Sequence, residues 1–263
     1  HIVVPRLYAH RFAYLLQNDD QRIVFAIPYE REFTLIGTTD VEYAGDPGAV
    51  AIEPEEVHYL CSAVSRYFAQ PVRPEDVVWS YSGVRPLLDD ESTDPASVTR
   101  DYALELDRHP APLLSVFGGK ITTYRKLAER AVDILARELG SSAAAWTARA
   151  LLPGGDLPRG AYARFLRSLE RAHPWLPTAL RYRYAHAYGT RVAQILRDAR
   201  SIGDLGEELV PQLYEREAEY LCRVELAQTA EDILWRRTRL GLRVGAGGRG
   251  RLEKWLARRG PAT

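Results

Sequence analysis

The apolar residues of the first 140 positions fall in short runs. Phe12–Leu16, Arg22–Pro28 and Phe33–Thr38 are rich in β-branched and aromatic residues, and Asn18-Asp19-Asp20 and Tyr29-Glu30-Arg31-Glu32 separate them. Runs of this kind bounded by polar turns predict an antiparallel meander. The period then changes. Val57, Leu60, Cys61, Val64 and Phe68 recur at helical spacing behind the acidic, proline-bearing first turn Glu53-Pro54-Glu55-Glu56. Strand-like runs return at Val77–Ser82, Tyr102–Leu106 and Leu113–Phe117. The last opens through Gly118-Gly119-Lys120-Ile121-Thr122-Thr123 into a helix expected to reach about Leu139, with Leu127, Ala131, Ile134 and Leu135 as its apolar stripe.

After Gly140 the strand signals stop. Ser141-Ser142 and Leu152-Pro153-Gly154-Gly155 read as a linker, and helices are expected around 160–172, 176–187, 190–199, 211–226, 229–238 and 250–259. The fold class is therefore α+β. A mostly antiparallel sheet with flanking helices is expected for 1–140 and an all-helical domain for 151–263.

Composition narrows the functional classes. The 263 residues are 46% hydrophobic and 27% charged, normal for a folded chain, and the 35 Lys plus Arg equal the 35 Asp plus Glu. That balance offers no electrostatic reason to expect a nucleic-acid partner. Cys61 and Cys222 stand far apart in apolar helical contexts and read as buried free thiols. His10, His58, His109, His173 and His186 show no metal-ligand spacing, so no metal site is expected. No apolar run is long enough to span a bilayer as a helix. His1–Pro5 reads as a strand already under way in a chain without Met, so a further segment is expected ahead of it.

Three segments could carry chemistry. At Phe117–Tyr124 a strand opens through two glycines into a helix, which aims backbone N–H groups and the positive end of a helix dipole at one place. The plainer reading is a strand-to-helix turn with a Thr N-cap. In Ser80–Pro86, Arg85 precedes a proline that holds it extended, as suits paired contacts to a carboxylate or phosphate; the plainer reading is a salt bridge to Asp89, Asp90 or Glu91. In Ile36–Asp40 a strand end bears two hydroxyls and an acid, or else forms a turn stabilised by those side chains. His1 is a lone histidine on a strand. Gly245–Gly250 contains a superficial Gly-x-Gly, but it reads as an Arg- and Gly-rich loop with no preceding strand and is no dinucleotide fingerprint.

Taken in order, His1–Pro5, Ile36–Tyr43, Ser82–Leu87, Thr99–Tyr102, Val116–Glu129, Leu152–Gly155, Asp204–Gly206 and Asp232–Thr238 form a series. That series closely resembles the aerobic, FAD-dependent glycerol-3-phosphate dehydrogenases over nearly the whole chain, up to the family's helical cap domain. The family's amino-terminal Gly-x-Gly-x-x-Gly segment, which seats the FAD pyrophosphate, has no counterpart here. The resemblance implies oxidation of sn-glycerol 3-phosphate to dihydroxyacetone phosphate, with electrons passed through FAD to a membrane quinone. It implies Arg85 and Lys120 as cations gripping the substrate, Thr38 and Arg100 beside it, and His1 as candidate base. Gly118, Gly119, Lys120, Ile121 and Thr122 would present backbone to the flavin pyrimidine edge. It further implies a peripheral location on the inner face of the cytoplasmic membrane and an amino-terminal FAD-binding segment as partner. Homodimerisation stays open. By itself this chain is expected to retain no FAD and to be inactive. Two other classes remain: an FAD-dependent amino-acid or 2-hydroxy-acid oxidase, and a non-catalytic cap or interaction module.

Overall fold

The computed structural model describes residues 1–85, 101–157 and 160–259. The chain divides into two compact units, His1–Ala150 and Leu151–Thr263.

In the first unit, β1 (Ile2–Pro5), β2 (Tyr14–Gln17), β3 (Ile23–Tyr29), β4 (Phe33–Gly37) and β5 (Trp79–Ser80) form an antiparallel sheet in the order β2-β3-β4-β1-β5. The meander read from the sequence is β2, β3 and β4. The fifth strand is shorter than the run Val77–Ser82. The Val77 N–H is taken by Pro74 O (3.1 Å) in a 3-10 turn, so the strand does not reach back to Val77. Side chains alternate across the sheet. Ile2, Val4, Leu16, Val24 and Ile36 pack with Leu60, Cys61 and Val64 of α1 (Pro54–Ser65), while Leu15, Ile23, Phe25 and Ile27 of β2 and β3 stand exposed. The start of α1 follows its sequence: Pro54 opens it and the Glu56 carboxylate accepts the Glu53 N–H at 3.0 Å.

The rest of this unit is a hairpin, β6 (Tyr102–Asp107) with β7 (Leu113–Gly118), followed by a 3-10 turn and α2 (Tyr124–Glu138). Not one side chain in these three elements is buried; Leu127, Ala131 and Ile134 of the expected stripe are half-buried and Leu135 is exposed. Thr123 does not cap α2 with its hydroxyl, which donates instead to Lys120 O at 2.8 Å.

The second unit contains α3 (Tyr162–Ala172), α4 (Thr178–Tyr188), α5 (Val192–Leu196), α6 (Glu215–Val224), a π-helical turn at Asp232–Arg237 and α7 (Ala246–Arg259). It also holds a hairpin, β8 (Glu208–Val210) with β9 (Leu213–Tyr214), where the sequence pattern suggested helix alone. Strands of three and two residues are too short to show a period, and the helix expected from 211 begins only at Glu215. Tyr184, Leu196, Leu205, Leu221, Ile233 and Leu252 belong to one continuous core. Inside it, Arg183 donates to both Glu217 oxygens at 2.6 and 2.5 Å, and the Tyr188 hydroxyl donates to Glu217 at 2.5 Å. Burial first, and then the Glu217 charge, raise the Tyr188 hydroxyl well above its ordinary pKa.

Two glycine segments depart from expectation. Gly245–Gly250 is no loop, because α7 already begins at Ala246; a Cβ on Gly248 would come within 2.6 Å of Val244, so the missing side chain leaves room for Val244 beside the start of the helix. Leu152–Gly155 is no slack linker. Gly154 O accepts the Thr190 N–H at 3.1 Å, and a Cβ on Gly154 would stand 2.4 Å from Tyr188 O.

Candidate active site

Strand register builds one end of the five-stranded sheet. Ile2 pairs with Ile36 and with Ser80, so His1 lies between Gly37 and Tyr81. Two backbone hydrogen bonds join it to Tyr81, one in each direction, both at 3.1 Å. The imidazole stacks on the Tyr81 ring with centroids 4.9 Å apart and planes 6° from parallel. On Gly37 a Cβ would come within 2.3 Å of the His1 ring.

The chain leaves β4 through Thr38, Thr39 and Asp40. The Thr38 hydroxyl donates to Thr39 O at 2.6 Å, and the Thr39 hydroxyl donates to Glu56 of α1 at 2.5 Å. Arg85 Nη1 donates to Asp40 Oδ2 at 2.7 Å, with the two side chains 46% and 44% exposed. The sheet thus gathers His1, Thr38 and Arg85 at one end. Asp40, the acid of the Ile36–Asp40 segment, holds Arg85, and Tyr81, which the sequence did not single out, holds His1. Asp89, Asp90 and Glu91, the acids nearest Arg85 in sequence, lie outside the described residues, and so does Arg100.

Gly118 to Thr122 sit on the hairpin–helix segment, not on the five-stranded sheet. Gly118 and Gly119 have φ of +67° and +99°, a backbone region that glycine enters without strain. A Cβ on Gly119 would lie 3.2 Å from both Leu127 and Tyr102. Lys120 and Ile121 are exposed, and Lys120 forms no ion pair among the described residues. Two surface cavities lie elsewhere. One, of about 690 Å³, is bordered by Thr229, Asp232 and Arg249, and the other, of about 230 Å³, by Asn18, Tyr59 and Arg66.

The Asp232–Thr238 motif has a structural task. Asp232 accepts the N–H groups of Gln228 and Thr229, both at 3.0 Å, and these bonds, the Gln228 one first, lower its pKa against the opposing cost of burial. Trp235 fits over Gly241, where a Cβ would come within 2.3 Å of its ring.

Residues 1–125 match the FAD dependent oxidoreductase family, and residues 145–257 match the C-terminal domain of alpha-glycerophosphate oxidase. The glycerol-3-phosphate dehydrogenase of Pseudomonas aeruginosa is 50% identical over 97% of this chain and 50% of its own length. The aerobic glycerol-3-phosphate dehydrogenase of Escherichia coli is 47% identical over 97% of this chain and 51% of its own. The chain belongs to the FAD-dependent glycerol-3-phosphate dehydrogenase family. A further relative, the D-erythritol 1-phosphate dehydrogenase of Brucella abortus, is 43% identical over 97% of this chain and 51% of its own. The chain spans about half the length of these curated relatives. Among the described residues no helix is long and apolar enough to cross a membrane, and no cluster of side chains could hold a metal ion.

Proposed function

We propose that this chain forms the substrate-binding sheet and part of the flavin site of a dehydrogenase that oxidises sn-glycerol 3-phosphate to dihydroxyacetone phosphate and passes the electrons to a quinone. The observation that carries the reading is the convergence of His1, Thr38 and Arg85 on one sheet end in a chain half identical to a glycerol-3-phosphate dehydrogenase.

The residues fit FAD in part. Gly118 and Gly119 form a left-handed turn against which another molecule can lie closely, ahead of α2, as a flavin edge requires. No segment here suits the pyrophosphate, so that contact falls to the amino-terminal half of the family. The flavin, when bound, supplies the hydride acceptor. The chain's own residues do the rest. Arg85, oriented by Asp40, and Lys120 bind the anionic substrate, with Arg100 as a further cation for it; Thr38 lines the space. His1 takes the proton from the C2 hydroxyl. The backbone of residues 118–122 faces the flavin pyrimidine edge, where N–H dipoles stabilise negative charge. Quinone reduction places the enzyme peripherally on the inner face of the cytoplasmic membrane. D-erythritol 1-phosphate is the second substrate to weigh, because a relative carrying that name is 43% identical to this chain. A carboxylate substrate is the third, since among the described residues the sheet end carries one guanidinium and Lys120 belongs to another element.

Alone, this chain purifies without flavin. Mixed with the amino-terminal half of the Pseudomonas aeruginosa relative, it binds FAD and reduces a quinone-like dye when glycerol 3-phosphate is added. In that pair Arg85→Ala lowers kcat/KM roughly a hundredfold, the scale of a lost charge-assisted contact. Arg85→Lys restores part of the loss, because an ammonium cannot form the paired contact. Wild-type kinetics in Arg85→Ala, or stoichiometric flavin on the chain alone, would overturn the reading.

A further inference from the structure

Resting on the reading of His1 as the base, the geometry points to Tyr81 as a positioning residue that fixes the plane of the His1 imidazole, with Gly37 as the floor that lets the ring lie flat. Three independent observations meet here. The rings are parallel within 6° at a centroid separation of 4.9 Å, an offset-stacked arrangement. The two residues are tied by a reciprocal pair of 3.1 Å backbone hydrogen bonds, so the stack is built into the β1–β5 register and does not depend on side-chain chance. On the β4 side Gly37 leaves room that any Cβ would fill, at 2.3 Å from Cδ2, 2.7 Å from Cγ and 2.8 Å from Nε2 of His1.

A ring held between Tyr81 and a bare backbone keeps little rotational freedom. A base must meet its proton at hydrogen-bond distance along a defined direction, and a small misplacement of the reacting group costs large factors in rate. Tyr81 needs only its ring for this task. The stack is made by the ring, so phenylalanine is expected to keep it and an aliphatic side chain is not. Thr38, the next residue after Gly37, shares the same strand end, so the clamp and the proposed substrate pocket are set by one turn of backbone.

The test has a spectroscopic arm and a kinetic arm. In proton NMR of this chain, the His1 ring protons resonate upfield of exposed histidines in wild type and in Tyr81→Phe, and return to ordinary positions in Tyr81→Leu and Gly37→Ala. In the pair reconstituted with the amino-terminal half of the Pseudomonas aeruginosa relative, Tyr81→Leu lowers kcat at least roughly tenfold with KM for glycerol 3-phosphate unchanged, and Tyr81→Phe restores it. Ordinary ring-proton shifts in wild type, or full kcat in Tyr81→Leu, overturn the proposal. If His1→Ala keeps full kcat, or the wild-type pair does not turn over, the reading of the base fails and the positioning role falls with it. Loss of kcat in His1→Ala together with full kcat in Tyr81→Leu rejects the clamp alone.

Discussion

The carboxyl-terminal unit buries Tyr184, Leu196, Leu221 and Ile233 in one continuous core and encloses a complete ion pair within it, whereas the hairpin–helix segment from Tyr102 to Glu138 buries nothing. Both have regular backbone hydrogen bonding. Secondary structure by itself therefore does not distinguish an element that can stand alone from one shaped to serve as a layer in something larger. The five-stranded sheet lies between these extremes, packed by α1 on one face and with Leu15, Ile23, Phe25 and Ile27 exposed on the other. The residues proposed to meet substrate and flavin belong to the two incompletely covered regions.

The sharpest way to break the contrast is Glu217→Ala. It strands the Arg183 guanidinium in the core and is expected to cost about 3–5 kcal/mol, which lowers the melting transition of that unit by at least about 12 °C; calorimetry reads it. Leu60→Ala, at the contact between α1 and the sheet, is expected to cost about 2–4 kcal/mol, visible as a lower urea midpoint for the first unit. Val132→Glu on the exposed side of α2 is expected to change stability by less than about 0.5 kcal/mol. Hydrogen exchange extends the comparison to every amide: those of α6 should be protected close to global unfolding, while those of α2 in the isolated chain should exchange orders of magnitude faster. Strong protection of α2 in that chain would dissolve the distinction.

The smallest effect is a titration. Burial, with smaller contributions from Asp76 and Glu75, pushes the Cys61 thiol from 9.0 up to about 11. The unfolded thiol ionises first, so this group's contribution to stability is present below pH 9 and is lost as pH rises through about 11. Thiol labelling at pH 8 should accordingly follow unfolding and not direct attack.

Much of this fold is legible along the chain. The spacing of Leu60, Cys61 and Val64 gives α1, and the polar turns bound β2, β3 and β4, because each signal lies within a few residues. The glycine loop before α2 could be seen for the same reason. What could not be read joins distant positions. Arg85 pairs with Asp40, 45 residues earlier, although acids stand much nearer in sequence. Tyr81 reaches His1 across 80 residues through strand register. The β8–β9 hairpin is too short to show a period, and α7 begins inside glycines that local propensity disfavours.

The approach of Gly154 to the end of α4 also decides where the protein can be divided. A Cβ on Gly189 would fall 2.0 Å from Gly154 O, as one on Gly154 would meet Tyr188 O, so both clashes are with main chain and neither glycine can compensate for loss of the other. The stretch that looks like a hinge in the sequence is a seam, closed by the Thr190 N–H to Gly154 bond and by the Thr190 hydroxyl on Asp156. Anyone expressing the carboxyl-terminal unit separately should keep Leu151 onward. A start at the first residue of α3 would remove the strap that covers the end of α4.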